Sequence, residues 1–231
     1  MRIIIFTDSL GRPRPDLNDQ DCTYYEDVYG YKLKQYFEND EVELLYIESL
    51  DSEDAIHWAQ RMVAFRAPDL VVFHLGINDC APRLFKKGSK SILFNPFFQK
   101  ITFNIFVRAI SYFRKIFTKI RPLVYVDKKD FKNNFEEIIT EIKKYNSKVE
   151  FISISIAKSD YLDSRSFNYN KNVIEYNKIL KEIFKKNYIE MNDIISEDGF
   201  ISDHVHLTKE AHHKLYEILK QKIKELKRCV E

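Results

Sequence analysis

A three-layer α/β domain around a central, mostly parallel sheet is the fold that the sequence predicts for these 231 residues. Three observations carry it. Short β-branched apolar runs recur at residues 3–6, 42–47, 69–73, 149–156 and 188–191. Stretches with helical spacing lie between them. Small polar residues close the runs at 3–6 and 69–73. Continuous apolar runs of this length fit strands buried on both faces. Their alternation with helices gives parallel pairing with a helical layer on each side.

At the start of the chain, residues 3–6, Ile-Ile-Ile-Phe, form the first strand, and Thr7-Asp8-Ser9-Leu10-Gly11 turns away from it. Residues 12–21 are a polar loop that Pro13 and Pro15 keep out of a helix. Helical spacing over 24–37 sets Val28, Leu33, Tyr36 and Phe37 inward. A helix over 55–65 stops before Pro68. The cleanest amphipathic pattern runs over 130–145, with Phe131, Phe135, Ile138, Ile139 and Ile142 on one face. Residues 157–170 read as a polar loop and 173–185 as a helix. A closing helix over 208–226 starts at Thr208, with Ala211, Leu215, Ile218, Leu219, Ile223 and Leu226 inward. His57 is expected on a helix face, and His212 and His213 at the surface. No repeat or linker divides the chain, so 1–231 is expected to be one domain.

Composition narrows the function classes. Lys and Arg number 37 against 35 Asp and Glu, and this near balance does not point to a nucleic-acid binder. Cys22, Cys80 and Cys229 are too far apart to suggest a disulfide framework or a zinc motif. No metal-ligand spacing or phosphate-cradling glycine loop stands out, so neither metal nor cofactor is expected. No long apolar span and no signal segment is visible, and the expected compartment is the cytoplasm.

Three polar blocks sit where chemistry is expected. Ser9 follows the first strand. Gly76-Ile77-Asn78-Asp79 follows the third. Asp203-His204-Val205-His206 precedes the closing helix. A serine hydroxyl needs a base beside it, and the base needs a carboxylate to fix its tautomer. Ser9, His206 and Asp203 supply those three types. By composition His204 competes with His206, and each block on its own also reads as a turn or a helix cap.

Taken together and in this order, Thr7-Asp8-Ser9-Leu10, Gly76-Ile77-Asn78-Asp79 and Asp203-His204-Val205-His206 resemble the SGNH (GDSL-type) hydrolase superfamily. The resemblance implies a flavodoxin-like three-layer sheet domain and a serine esterase. Ser9, Asp203 and His206 would be its catalytic residues, with His206 rather than His204 as the base. It also implies an oxyanion hole from the Ser9 N–H, the Asn78 side chain and a loop N–H after the second strand, with Gly76 turning the chain. Two departures stand out. Thr7 replaces the usual glycine of the first block. The loop Glu48-Ser49-Leu50-Asp51-Ser52 has no glycine, so Leu50 or Ser49 would fill that place. The expected reaction is removal of an acyl group, with acetyl the candidate, from a small-molecule or glycan ester of a sugar or glycan-related substrate; an O-acyltransferase acting on a sugar hydroxyl, a lipase or thioesterase, and a catalytically weak binding module are the rivals.

The resemblance leaves residues 92–126 unexplained. Phe94, Phe97, Phe98, Phe103, Phe106, Tyr112, Phe113 and Phe117 alternate there with Lys and Arg, and no acidic residue interrupts them. Three readings stay open for this insertion. It could be an extra packed helical layer, a wall over Ser9, or an interfacial helix in peripheral contact with a membrane. The oligomeric state is not legible.

Overall fold

The computed structural model describes residues 1–15, 17–18, 21–88 and 105–228. Its centre is one five-stranded sheet in the order β2-β1-β3-β4-β5, with every neighbouring pair parallel. The strands are β1 (Arg2–Thr7), β2 (Glu41–Tyr46), β3 (Leu70–His74), β4 (Glu150–Ile154) and the short β5 (Tyr188–Ile189).

Strand pleating sends alternate residues to opposite faces. In β1, Ile4 and Phe6 join Val71 and Phe73 of β3 on one face, while Ile3 and Ile5 join Leu70 and Val72 on the other. Both faces are therefore apolar, which is why these strands read as continuous hydrophobic runs. The first face is covered by α2 (Ser52–Trp58), α6 (Lys128–Lys143) and α8 (Tyr169–Phe184). The second is covered by α1 (Tyr29–Tyr36) and α9 (Lys209–Arg228). Phe131, Phe135, Ile138 and Ile142 are all buried, as the spacing predicts.

The structure amends several details. Residues 24–37 divide into a 3₁₀ turn at Tyr25–Asp27, an extended Val28, and α1. Tyr36 and Ile218 stay exposed rather than entering the core. The polar stretch 157–170 contains a helix, α7 (Asp160–Arg165), which buries none of its residues and so shows no apolar periodicity. His212 is buried, not at the surface, because it falls on the buried stripe of α9 beside Ala211 and Leu215. Its ring stacks on Tyr29 at 5.6 Å between centroids.

Within the insertion, residues 92–104 lie outside the described part, and so do the readings that rest on Phe94, Phe97, Phe98 and Phe103. The chain continues as α4 (Ile105–Tyr112) and α5 (Arg114–Ile120). α5 is tied to the domain through buried Thr118, whose hydroxyl accepts the Phe167 N–H at 3.0 Å. Tyr112 and Ile120 remain 81% and 75% exposed. Among the described residues no helix is long and apolar enough to cross a membrane.

The topology fixes where a ligand can sit. The chain leaves β1 for β2 at one edge, then returns to place β3 on the other side of β1. The carboxyl ends of β1 and β3 therefore border the crevice where the connections diverge.

Candidate active site

Asp8 follows β1 and turns the chain. Its Oδ1 accepts the Leu10 N–H at 2.8 Å, which caps a 3₁₀ turn over Ser9–Gly11. Ser9 is thus the first residue of a tight turn at a strand end, with its hydroxyl outside the sheet. At the end of β3, Gly76 turns the chain into the short helix α3 (Ile77–Cys80) with φ of 121°. A Cβ at Gly76 would lie 2.8 Å from Ile156 Cδ1, so both the backbone angle and the space require glycine. That turn brings Asn78 to the crevice. Its Nδ2 donates to Asp8 Oδ2 at 3.2 Å and to the Leu50 carbonyl at 3.1 Å.

The third block forms a closed loop before α9. Asp203 Oδ1 accepts the N–H groups of Val205 and His206, both at 2.9 Å. Asp203 Oδ2 then lies 2.5 Å from His206 Nδ1. His206 Nε2 is 3.0 Å from Ser9 Oγ. Burial would raise the Asp203 carboxyl, but the hydrogen bonds from His206 overrule it and leave the pKa at about 2. Asp203 is therefore an anion throughout the neutral range, and it orients the imidazole with Nε2 toward the serine. His204 points elsewhere. It has φ of 57°, sets Nδ1 3.1 Å from Glu197 Oε1, and stacks on Tyr161 at 3.8 Å.

The loop after β2 divides between two tasks. Leu50 buries its side chain and offers its carbonyl to Asn78. Ser49, with φ of 57°, lines the cavity. A left-handed residue thus stands in the loop where the resemblance implies a glycine. Thr7, the other departure, is buried and donates its hydroxyl to the His74 carbonyl at 3.1 Å, a bond between β1 and β3.

Beneath these residues lies a layer of buried titratable groups. Burial pushes Asp8 up to about 8, against the pull of the Leu10 N–H. It pushes Asp79 up to about 7, although Ser52 donates to it at 2.8 Å. Burial lowers His74 and His212 to about 3, each ring disfavouring its charged form.

Ser9, Asn78 and His206 line one cavity of about 370 Å³, the size of a small-molecule site. Four arginines that the sequence alone does not connect share its walls: Arg14, Arg83, Arg114 and Arg165. Arg14 comes from the proline-stiffened loop, which Asp21 ties to the histidine loop by accepting the Ser202 N–H at 2.9 Å. Arg14 donates through Nη2 to His206 Nε2, the atom that also faces Ser9. Arg83 donates to the Asn78 carbonyl at 3.1 Å and to its Oδ1 at 3.2 Å, which settles the direction of the amide. Arg114 donates to Ser166 Oγ at 2.7 Å and to the Pro82 carbonyl at 2.8 Å. Burial and the neighbouring charges of Arg83 and Arg165 lower its pKa.

Solved structures share this fold. The chain superposes on TesA with a TM-score of 0.61 at 11% identity, over 98% of this chain and 99% of that one. An acetyl xylan esterase matches at a TM-score of 0.60 and 14% identity, over 96% of this chain and 100% of that one. A GDSL-like lipase from Bacteroides thetaiotaomicron matches at 0.58 and 15% identity, over 97% and 88%. The fold is the SGNH hydrolase fold. No family profile and no curated protein sequence matches the chain, so the likeness to SGNH hydrolases is one of structure.

Proposed function

We propose that the chain is a serine esterase of SGNH type that removes an acyl group from a sugar- or glycan-related substrate. The observation that supports it most is the relay Asp203–His206–Ser9, with links of 2.5 and 3.0 Å, at the wall of a cavity. Ser9 Oγ attacks the ester carbonyl while His206 Nε2 takes its proton. The imidazolium, stabilised by Asp203, returns that proton to the departing alkoxide and leaves an acyl-serine. Water then attacks with His206 again as base, releasing the acid and restoring Ser9. Each step uses only residues of this chain and water.

The carbonyl oxygen becomes an anion on the way. The Ser9 N–H, the Asn78 amide and the Ser49 or Leu50 N–H are the donors assigned to it, each worth roughly 3–4 kcal/mol in such a role. Asn78 would exchange one of its two present acceptors for the oxyanion. Gly76 acts on this donor set only through the turn that carries Asn78. The acetyl xylan esterase among the structural neighbours supports a small acyl group on a carbohydrate. A sugar hydroxyl in place of water would turn the same intermediate to acyl transfer.

A second reading is a binding module with weak catalysis. It is favoured by the Arg14 contact at His206 Nε2 and by the engagement of both Asn78 donors with Asp8 and Leu50. A fluorophosphonate probe separates the two. The esterase labels at Ser9 and hydrolyses p-nitrophenyl acetate, and Ser9→Ala and His206→Ala each lose activity by at least about 10³-fold. His204→Ala should be much less damaging. Absence of labelling in the wild type, or a larger loss for His204→Ala than for His206→Ala, would overturn the assignment.

A further inference from the structure

The four arginines in the cavity are not explained by an excess of base. The chain carries 37 basic and 35 acidic residues, so its arginines have carboxylates available. Among the described residues none of Arg14, Arg83, Arg114 and Arg165 forms a salt bridge, whereas Arg2, Arg12 and Arg66 each do. Glu48, the one acidic residue of the cavity wall among the described residues, is already paired with Arg12 at 3.0 Å.

Neutral groups hold the guanidiniums in place instead. They donate to the carbonyls of Asn78 and Pro82, to Ser166 Oγ, and to Ser111 Oγ at 2.9 Å from Arg165. These bonds fix direction, the Tyr125 ring lies 4.4 Å from Arg83 Cζ and the Tyr161 ring 5.7 Å from Arg165 Cζ, and no carboxylate among the described residues pairs with the four charges. Buried Nε atoms of Arg14 and Arg83 have no partner among the described residues. Gathering like charges in a half-buried cavity is unfavourable without a counter-charge, and guanidinium forks match carboxylate and phosphate oxygens.

We propose that the cavity over Ser9 takes an ester that carries an anionic group, a phosphate or a carboxylate, held by Arg83, Arg114 and Arg165. This inference rests on the esterase reading and names the substrate class for it. Arg14 adds a second consequence. His206 Nε2 has one lone pair, which Ser9 Oγ–H and the Arg14 N–H both approach. An anion in the cavity gives Arg14 another acceptor and leaves Nε2 to the serine.

The test compares p-nitrophenyl hexanoate with the mono-p-nitrophenyl ester of adipate, a neutral and an anionic ester of one leaving group and one acyl length. The wild type should favour the anionic ester in kcat/KM by about tenfold or more. That preference should shrink as salt rises from about 0.05 to about 0.5 M. Arg114→Gln/Arg165→Gln should lower the preference at least about tenfold, and the single Arg165→Gln, at an exposed side chain, should lower it in the same direction. Inorganic phosphate, glycerol 3-phosphate and succinate are then titrated calorimetrically into the Ser9→Ala protein. Tighter binding of the two phosphates assigns the anion as phosphate, and tighter binding of succinate as carboxylate.

Equal turnover of the two esters, insensitive to salt and to both variants, with no anion bound, would overturn the inference and leave the esterase standing. Anion binding that the double variant abolishes, in a protein that cleaves neither ester, would sink the esterase and keep the anion site.

Discussion

At the residue scale, Thr7 and Gly11 form a matched pair. A Cβ on Gly11 would sit 2.4 Å from Thr7 Cγ2, 3.0 Å from Thr7 Oγ1 and 3.1 Å from the Tyr29 hydroxyl. None of these atoms can retreat easily, because Thr7, the last residue of β1, is buried and bonded to the His74 carbonyl and Tyr29 is fully buried. The threonine that departs from the family pattern thus consumes the space that Gly11 leaves. Gly11→Ala should cost about 2 kcal/mol through overpacking. In a Thr7→Ser background, which removes Cγ2 and keeps the hydroxyl, the same substitution should cost about half as much. Urea unfolding of the four proteins checks it, and strictly additive effects would refute the coupling.

The residues proposed as catalytic are readable because each block combines a chemical type with a strand end or a helix start. Ser9 and Asn78 can be located this way from the runs at 3–6 and 69–73. Arg14, Arg83, Arg114 and Arg165 cannot, because they come from four separate segments and nothing in their spacing announces a common cavity. Position 212 misleads by residue type. A histidine suggests the surface, while its spacing from Leu215 and Leu219 puts it on the buried stripe of α9.

At the scale of elements, α7 is the instructive omission. Its signals are local rather than periodic. Ser159 caps it by accepting the Leu162 N–H at 3.2 Å, with Asp160 and Asp163 in its first turn. Its role comes from Glu197, which accepts from Ser159 Oγ at 2.8 Å and from the Asp160 N–H at 3.0 Å while facing His204. One carboxylate therefore fastens the start of α7, which carries Tyr161 and Arg165 to the cavity, to the loop that carries Asp203 and His206. Burial would raise Glu197, yet these donors outweigh it and hold its pKa below the usual range. Glu197→Ala should lower kcat about tenfold, with Glu197→Gln in between because it keeps one acceptor oxygen. Steady-state kinetics on p-nitrophenyl acetate measure this, and wild-type kcat in the alanine variant would refute the fastening role.

At the scale of the whole molecule, the buried titratable layer under the site gives the fold a definite response to pH. Asp8 and Asp79 have pKa values raised to about 8 and about 7 in the folded protein, from 3.8. Their contribution is fully present below 3.8 and is lost as pH rises through those folded values. His74 and His212 are lowered to about 3 from 6.5. Their contribution is present above 6.5 and is lost as pH falls toward 3. Between about 4 and 6.5 the two pairs oppose each other, since the unfolded chain binds two more protons on histidine and two fewer on aspartate. Above 6.5 the histidines no longer contribute a slope, and only the aspartates act. Stability should therefore fall between pH 6.5 and 8, by on the order of 2 kcal/mol, or several degrees in Tm for a chain of this size. Asp79→Asn keeps an acceptor for the Ser52 N–H and removes one of the two titrations. It should flatten the part of the fall below pH 7 and leave the part due to Asp8. Thermal melts of both proteins across that range are the measurement, and a wild-type Tm that rises from pH 6.5 to 8 would show that these carboxyls are ionised in the folded state.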